Sequence, residues 1–146
     1  MRNEHSGNKL NSSFLMQKRK HFDLLCTTLG LTAEPQEDGN GFTTVSAVAN
    51  NVRVFFEEER GLCSFAIGAR SDLKPMCNVE EMASRFPRVR LLPEGHQRLD
   101  LEEQRQFIES QWSTLQVMFS ADHIAETRAW HRSAAAAYTE SLSHRK

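Results

Sequence analysis

The strongest constraint on the fold is a change of hydrophobic period in the middle of the chain. Apolar and polar residues alternate in three short segments, 42–49, 52–59 and 62–69, that are rich in Val, Phe, Thr and Ile. This period of two is typical of β-strands. Asn50-Asn51 and Arg60-Gly61 separate the segments and tolerate the positive φ of tight hairpin turns. The pattern predicts a three-stranded antiparallel meander whose apolar face a helical layer covers.

A helix is predicted before the meander. From Phe14 onward, apolar side chains recur every three or four residues and form one stripe: Leu15, Phe22, Leu25, Cys26 and Leu29. Ser12 or Ser13 can cap its start, and Gly30 can adopt the left-handed conformation that ends a helix. Residues 32–41 contain Pro and Gly without periodicity, so we expect an exposed connection there.

Capping patterns predict two helices after the meander. Asn78 and Glu81 have the spacing of a capping box that opens a short helix, and Pro87 ends that helix. Asp100 and Glu103 repeat the pattern at the start of a long helix. Its apolar stripe is Leu101, Ile108, Trp112, Leu115 and Phe119, widened by Phe107 and Met118.

Two further segments complete the predicted order of elements. Residues 88–92 could add a fourth, edge strand. Residues 120–123 could bend or restart the helix, and the chain is rich in helix formers from there to about Leu142. The expected fold class is therefore α+β, a three- to four-stranded antiparallel meander covered by an N-terminal helix and long C-terminal helices. Residues 1–12 are predicted to be a flexible arm, and residues 13–146 a single domain.

Composition narrows the classes of function. Eighteen basic and nineteen acidic residues give a net charge of −1, so we expect neither nucleic acid nor an anionic membrane as a partner. Met1–Ser13 contains no apolar signal segment, which predicts a cytoplasmic location. Cys26, Cys63 and Cys77 are widely spaced and odd in number, so we interpret them as reduced structural thiols.

No motif for catalysis, metal binding or a cofactor occurs. The sequence lacks a nucleophile elbow, a phosphate-binding glycine loop and the HExxH pattern. Asp122, His123 and Glu126 are close in sequence, and His123 and Glu126 share a helical face. The position four residues after His123 is Thr127, a poor ligand, so a metal site would need further ligands from elsewhere. We therefore expect a protein without cofactor or metal that is not an enzyme.

Acidic residues and one tryptophan are the candidate contacts for a partner. Glu57, Glu58 and Glu59 end the second predicted strand, where they either solvate the sheet or form an acidic patch for a basic partner. The connection after the first helix adds Glu34, Glu37 and Asp38. Trp130 lies between Arg128 and His131, a combination typical of interfaces.

The order of elements resembles that of the small cytoplasmic immunity proteins of bacterial polymorphic toxin systems, including contact-dependent growth inhibition. The resemblance covers residues 14–142: a leading helix with Leu24-Leu25 and Leu29-Gly30, a meander with the hairpin at 50–54, and helices to the end. It implies a monomer or homodimer that binds one cognate toxin domain and blocks it. It carries over no individual functional residue, because no motif defines that class.

Two alternatives stay open. The chain also resembles type III secretion chaperones in size, in the first helix and in the three strands, but those proteins have a second group of strands where residues 99–142 are predicted to be helical. An enzyme with a dispersed active site could use Glu57, Glu59 or His123, since such sites leave no sequence signature.

Overall fold

The computed structural model describes residues 18–39, 42–86, 89 and 98–143, with the backbone alone for 137–143. The predicted flexible arm at 1–12 and the start of the first helix lie outside these residues. The predicted edge strand at 88–92 also lies outside them, apart from residue 89. What is described is an α+β fold with a six-stranded antiparallel sheet, so the predicted fold class is confirmed at that level.

The predicted meander forms the centre of the sheet. Strands β3 (Phe42–Ala49), β4 (Val52–Glu59) and β5 (Leu62–Ala69) pair antiparallel along their full length. Asn50 has φ 54° in the first turn, and Arg60 and Gly61 have φ 53° and 82° in the second. Both turns therefore use the positive φ that the sequence predicted.

The predicted connection at 32–41 is the main correction to the fold. It contains two short strands, β1 (Thr32–Ala33) and β2 (Glu37–Gly39), and both pair with the outer edge of β3. All five strand residues are exposed, so they show no alternation that a hydrophobic pattern could reveal. Pro35, which lacks an N–H group, lies in the gap between the two strands.

A sixth strand lies at the other edge of the sheet. This strand, β6 (Cys77–Asn78), pairs with Ala66 and Ile67 of β5 and directly precedes the predicted helix that Asn78 caps. Strand order is β1-β3-β4-β5-β6, with β2 beside β3. The sheet thus has six strands instead of the three or four expected, because edge strands of two or three residues carry too little sequence pattern to be recognised.

One face of the sheet carries the hydrophobic core. Val52, Val54 and Phe56 alternate onto this core face and are at most 5% exposed. Helix α1 (residues 18–29) packs Phe22 and Leu25 into the core, as its predicted stripe required. We call the opposite face of the sheet the second face. It buries Phe55 near its middle and carries polar residues at one end.

Caps define the helix ends as predicted. Gly30 has φ 67° after α1, and the N–H of Leu31 donates to the Cys26 carbonyl, which closes the helix in a Schellman-type end. Asn78 caps α2 (Val79–Arg85) by accepting from the Glu81 N–H. A complete capping box joins Asp100 and Glu103 at the start of α3 (Leu101–Ser110).

The predicted long helix from residue 101 to 119 is interrupted. Helix α3 ends at Ser110, and α4 (Trp112–Met118) follows after Gln111, whose φ and ψ are −102° and 10°. The Ser110 hydroxyl donates to the Phe107 carbonyl at 3.1 Å, a backbone contact of the kind that bends helices. Phe107, Ile108, Leu115, Met118 and Phe119 are nevertheless buried on the predicted stripe.

The last helix restarts where the sequence allowed a break. Residues 119–123 form a turn, and α5 (Ile124–Ser143) begins after Ser120, whose carbonyl accepts the N–H of Ile124. The buried Thr127 hydroxyl donates to the Met118 carbonyl at 2.7 Å. The first half of α5 therefore packs against its own chain.

Candidate protein-binding surface

The strand register brings three of the predicted acidic residues onto the second face. Glu37, Thr44, Glu57 and Ser64 are aligned across β2, β3, β4 and β5. The next aligned row is Gly39, Phe42, Glu59 and Leu62. Paired residues project from the same side of a sheet. We call the group Glu37, Phe42, Glu57, Glu59 and Leu62 the acidic face.

The carboxylates of the acidic face are not neutralised. In the described part of the chain, Glu37, Glu57 and Glu59 make no ion pair and no side-chain hydrogen bond. Glu57 and Glu59 are two residues apart on one strand, about 7 Å between Cα atoms. Partial burial, and then the charge of Glu59, raise the pKa of Glu57. No cation among the described residues therefore offsets the negative charges of Glu57 and Glu59.

Two exposed hydrophobic side chains flank these carboxylates. Leu62 is 77% exposed and Phe42 is 45% exposed, on either side of Glu59 in the same row. The Phe42 ring lies against Gly39, so closely that a Cβ atom at Gly39 would overlap it. Glycine at position 39 therefore allows the ring to lie flat across the edge strand. In a protein interface, exposed apolar groups of this kind supply the buried centre and charged groups beside them supply the polar rim.

The other predicted acidic residues have structural partners. Glu58 points to the core side and accepts from the Gly61 N–H at 2.7 Å, which braces the second turn. Asp38 accepts from the Thr43 hydroxyl at 2.9 Å within the β2–β3 pair. Glu34 pairs with Arg53 at 3.1 Å and accepts from the Ser46 hydroxyl at 2.8 Å. These three carboxylates stabilise the sheet.

Trp130 does not join the acidic face. It is half-buried and packs against Phe86, with ring centroids 4.3 Å apart and planes tilted by 42°. The His131 ring is nearly parallel to that of Phe86, with ring centroids 6.2 Å apart and planes at 17°. The cluster attaches α5 to the end of α2. Trp130 therefore contributes to the packing of its own chain.

The residues of the dispersed-site alternative lie at opposite ends of the sheet. His123 is the last residue of the 119–123 turn, which lies beside the Asn50-Asn51 hairpin, whereas Glu59 lies at the Arg60-Gly61 hairpin. An eight-residue strand such as β4 separates these hairpins by about 26 Å at roughly 3.3 Å per residue. Nδ1 of His123 lies 3.1 Å from the Ser120 hydroxyl oxygen. The structure therefore does not bring His123 to the acidic face.

Metal-ligand clusters and activated thiols do not occur in the residues that the structure describes. No group of three or more His, Cys, Asp or Glu side chains converges there. The three cysteines are free thiols. Burial raises the pKa of Cys26 to about 11 and also raises the pKa of Cys63 and Cys77. Nucleophilic thiolate is thus disfavoured at all three positions.

A cleft lies at the other end of the sheet, beside the Asn50-Asn51 hairpin. Its volume is about 520 Å³. Five apolar side chains form its floor: Val48, Ala69, Phe119, Ala121 and Ile124. Arg53, Arg70 and Glu34 contribute its charged groups. We call this feature the hairpin cleft.

No sequence pattern indicated that Phe42, Leu62 or Arg70 contributes to a functional site. The two-residue turns fix the register of the meander, so they could have shown that Phe42 and Leu62 flank Glu59. Arg70 is different, because its position depends on how the strand end meets the hairpin. No sequence signal marks it.

The chain matches no protein-family model, no curated protein and no solved structure. Among the described residues, no helix combines the length and apolar character needed to cross a membrane. The assignment of a function therefore depends on the geometry of the surface.

Proposed function

We propose that this chain is a protein-binding module that neutralises a cognate bacterial toxin domain, and that the acidic face is its contact surface. The observation that carries the proposal is a set of three carboxylates on one sheet face, Glu37, Glu57 and Glu59, that have no ion-pair partner among the described residues. The resemblance in element order to immunity proteins supports the same role.

The electrostatics of the acidic face favour a basic partner. Partial burial raises the pKa of Glu57 most, and the charge of Glu59 raises it further; a lysine or arginine placed between the two carboxylates would offset both effects. Such a contact relieves an unfavourable interaction in the free protein and forms a charge-assisted hydrogen bond as well. Basic surfaces are common in proteins that act on nucleic acids, because these enzymes must bind phosphates. A basic toxin domain is thus a suitable partner.

Two exposed apolar side chains of the acidic face would add to the affinity for a partner. Phe42 and Leu62 are exposed in the free chain and would be buried in a complex. Full burial of a large apolar side chain contributes roughly 1.5–3 kcal/mol. The charges then provide orientation and fast association, while the two hydrophobic groups slow dissociation.

The test is affinity capture followed by titration. Tagged chain is used as bait in extract of the source cell, and the retained domain is purified and titrated against three forms of the chain. These are the wild type, the double variant Glu57→Lys/Glu59→Lys, and the control Asp23→Lys/Asp122→Lys. The control changes the net charge equally at exposed positions away from the acidic face.

The expected result is a one-to-one complex that the double variant weakens roughly ten- to hundred-fold, because two attractions become repulsions. The control should bind like the wild type. Association of the wild type should slow as salt rises. Equal weakening by both variants would reduce the effect to net charge and refute the acidic face. Retention of an unfolded segment of a secreted protein would favour the chaperone instead.

A further inference from the structure

We infer that the hairpin cleft is a second binding site, separate from the acidic face, for a small carboxylic acid with an apolar tail. The inference rests on the distribution of charge and apolar surface around the cleft. Its volume, about 520 Å³, lies within the range of about 300–1,000 Å³ of small-molecule sites in proteins. It does not depend on the proposed function.

The two arginines of the cleft differ in their partners. Arg53 is satisfied by protein groups: its Nε and Nη2 donate to the Arg70 carbonyl at 3.2 and 2.8 Å, and its Nη1 lies 3.1 Å from Glu34. Arg70 donates from Nη1 to the Asn50 carbonyl at 3.1 Å. No carboxylate pairs with Arg70 among the described residues.

This arrangement sets the charge of the ligand. Arg53 and Glu34 neutralise each other, so the lining carries one net positive charge, on Arg70. A monoanion matches that charge. A phosphate dianion would carry one negative charge more than the lining offers. Because a carboxylate is a monoanion and pairs with the planar guanidinium in two parallel hydrogen bonds, it is the anion that matches both the charge and the shape of Arg70.

The apolar floor determines the rest of the ligand. Phe119 and Ala69 are 4% and 5% exposed, and they continue into the core beneath the cleft. Ile124 and Ala121, at the start of α5 and in the turn before it, belong to the same apolar floor. An aliphatic or aromatic tail placed on these groups would leave water, while its carboxylate would reach Arg70 at the lip.

The walls of the cleft are held rigidly. Gln116 of α4 makes three hydrogen bonds with the β3–β4 hairpin: it accepts from the N–H of Asn51 and from its side chain, and it donates to the Ala49 carbonyl. The Arg70 N–H donates to the Asn51 carbonyl at 2.9 Å. The site therefore exists before a ligand arrives, which lowers the entropy lost on binding.

The test uses 3-phenylpropionate as the acid and 3-phenylpropionamide as its uncharged match. Methyl NMR spectra of the full chain are recorded during titration with each probe. We expect saturable shifts at Val48, Ala69, Ala121 and Ile124, with a dissociation constant on the order of 1 mM for an acid of this size. The amide should bind about ten-fold more weakly.

Variants separate the charge from the floor. Arg70→Gln should weaken the acid about ten-fold and leave the amide unchanged, while the control Arg132→Gln, on the exposed side of α5, should change neither. Ala121→Phe should fill the floor and abolish binding of both probes. Thermal unfolding of each variant checks that the fold is intact.

Three outcomes would overturn the inference: equal affinities for acid and amide, shifts confined to residues outside the cleft, or displacement of the acid by inorganic phosphate at equal concentration. A peptide with a free C-terminal leucine is titrated as a further probe. Binding of that peptide without binding of 3-phenylpropionate would show that the site takes polypeptide ends, which also contradicts the inference.

Discussion

Replacement of Gln104 by alanine should destabilise the fold more than any other substitution of a polar residue on α3. Gln104 is 3% exposed, and its side chain joins two elements. Its Oε1 accepts from the Phe65 N–H at 2.8 Å, and its Nε2 donates to the Leu99 carbonyl at 2.9 Å. It thereby satisfies a backbone donor on the edge of β5 that is buried beneath α3.

The magnitude follows from these two contacts. A buried N–H group left without an acceptor costs about 1–3 kcal/mol, and the truncated side chain adds about 1 kcal/mol of lost packing. The Leu99 carbonyl is only partly buried and can find water. The expected loss is therefore about 2–4 kcal/mol, or roughly 5–15 °C in Tm for a chain of this size.

The assay is urea unfolding followed by circular dichroism, with Gln106→Ala as the matched control on the exposed side of the same helix. Gln104→Glu adds a pH test. The introduced carboxyl can donate to the Leu99 carbonyl only when protonated, and burial raises its folded pKa above the unfolded value. The Gln104→Glu variant should thus be most stable, relative to the wild type, below about pH 4, and this relative stability should fall as pH rises. A loss under 0.5 kcal/mol for Gln104→Ala would show that the hydrogen bonds of Gln104 do not stabilise the fold as proposed.

Three further results are expected. Glu57→Gln should raise the free energy of unfolding at pH 7 but not below pH 4, because a carboxyl whose folded pKa is raised contributes stability only while it is protonated. A series of urea titrations at different pH values measures this effect. Equal stability of the variant and the wild type at pH 7 would contradict the prediction. Trp112→Ala should cost about 3 kcal/mol, near the low end for tryptophan because the ring is half-buried, and wild-type melting would show that it lies off the core. Cys26 should react with iodoacetamide far more slowly at pH 8 than a free thiol, since its pKa is about 11; mass spectrometry follows the reaction, and an ordinary rate would show that the thiol is not shielded.

The sequence was most informative where one local rule decides the structure. Alternation and two-residue turns predicted the meander, and capping residues such as Asn78 and Asp100 predicted helix starts. These features depend on neighbours within a few residues. They need no knowledge of the tertiary structure.

The edge strands and the helix break were missed for physical reasons. Strands β1 and β2 have both faces exposed, so no hydrophobic pattern marks them. The break at Gln111 accompanies a hydroxyl–carbonyl contact of Ser110, and the sequence does not show whether a helical serine makes that contact or points to solvent. Gln104 was overlooked because its burial depends on a strand 39 positions earlier in the chain.

The acidic residues were recognised as candidates, but their sorting required the register. Of the six candidate carboxylates, Glu37, Glu57 and Glu59 lie on the second face without a partner among the residues that the structure describes. Glu34, Glu58 and Asp38 have the same chemistry but are used within the fold. Alternation alone separates Glu57 and Glu59 from Glu58. Pairing with β2, which no sequence pattern predicted, adds Glu37.

The most direct test of the central claim is growth of cells that express the captured partner domain together with the chain. Colony counts are compared for wild type, Glu57→Lys/Glu59→Lys and the control Asp23→Lys/Asp122→Lys, with equal expression checked by immunoblot. The account predicts that the partner domain alone stops growth, that wild type and control restore it, and that the double variant does not. Full protection by the double variant, or a partner domain that is harmless by itself, would contradict the account.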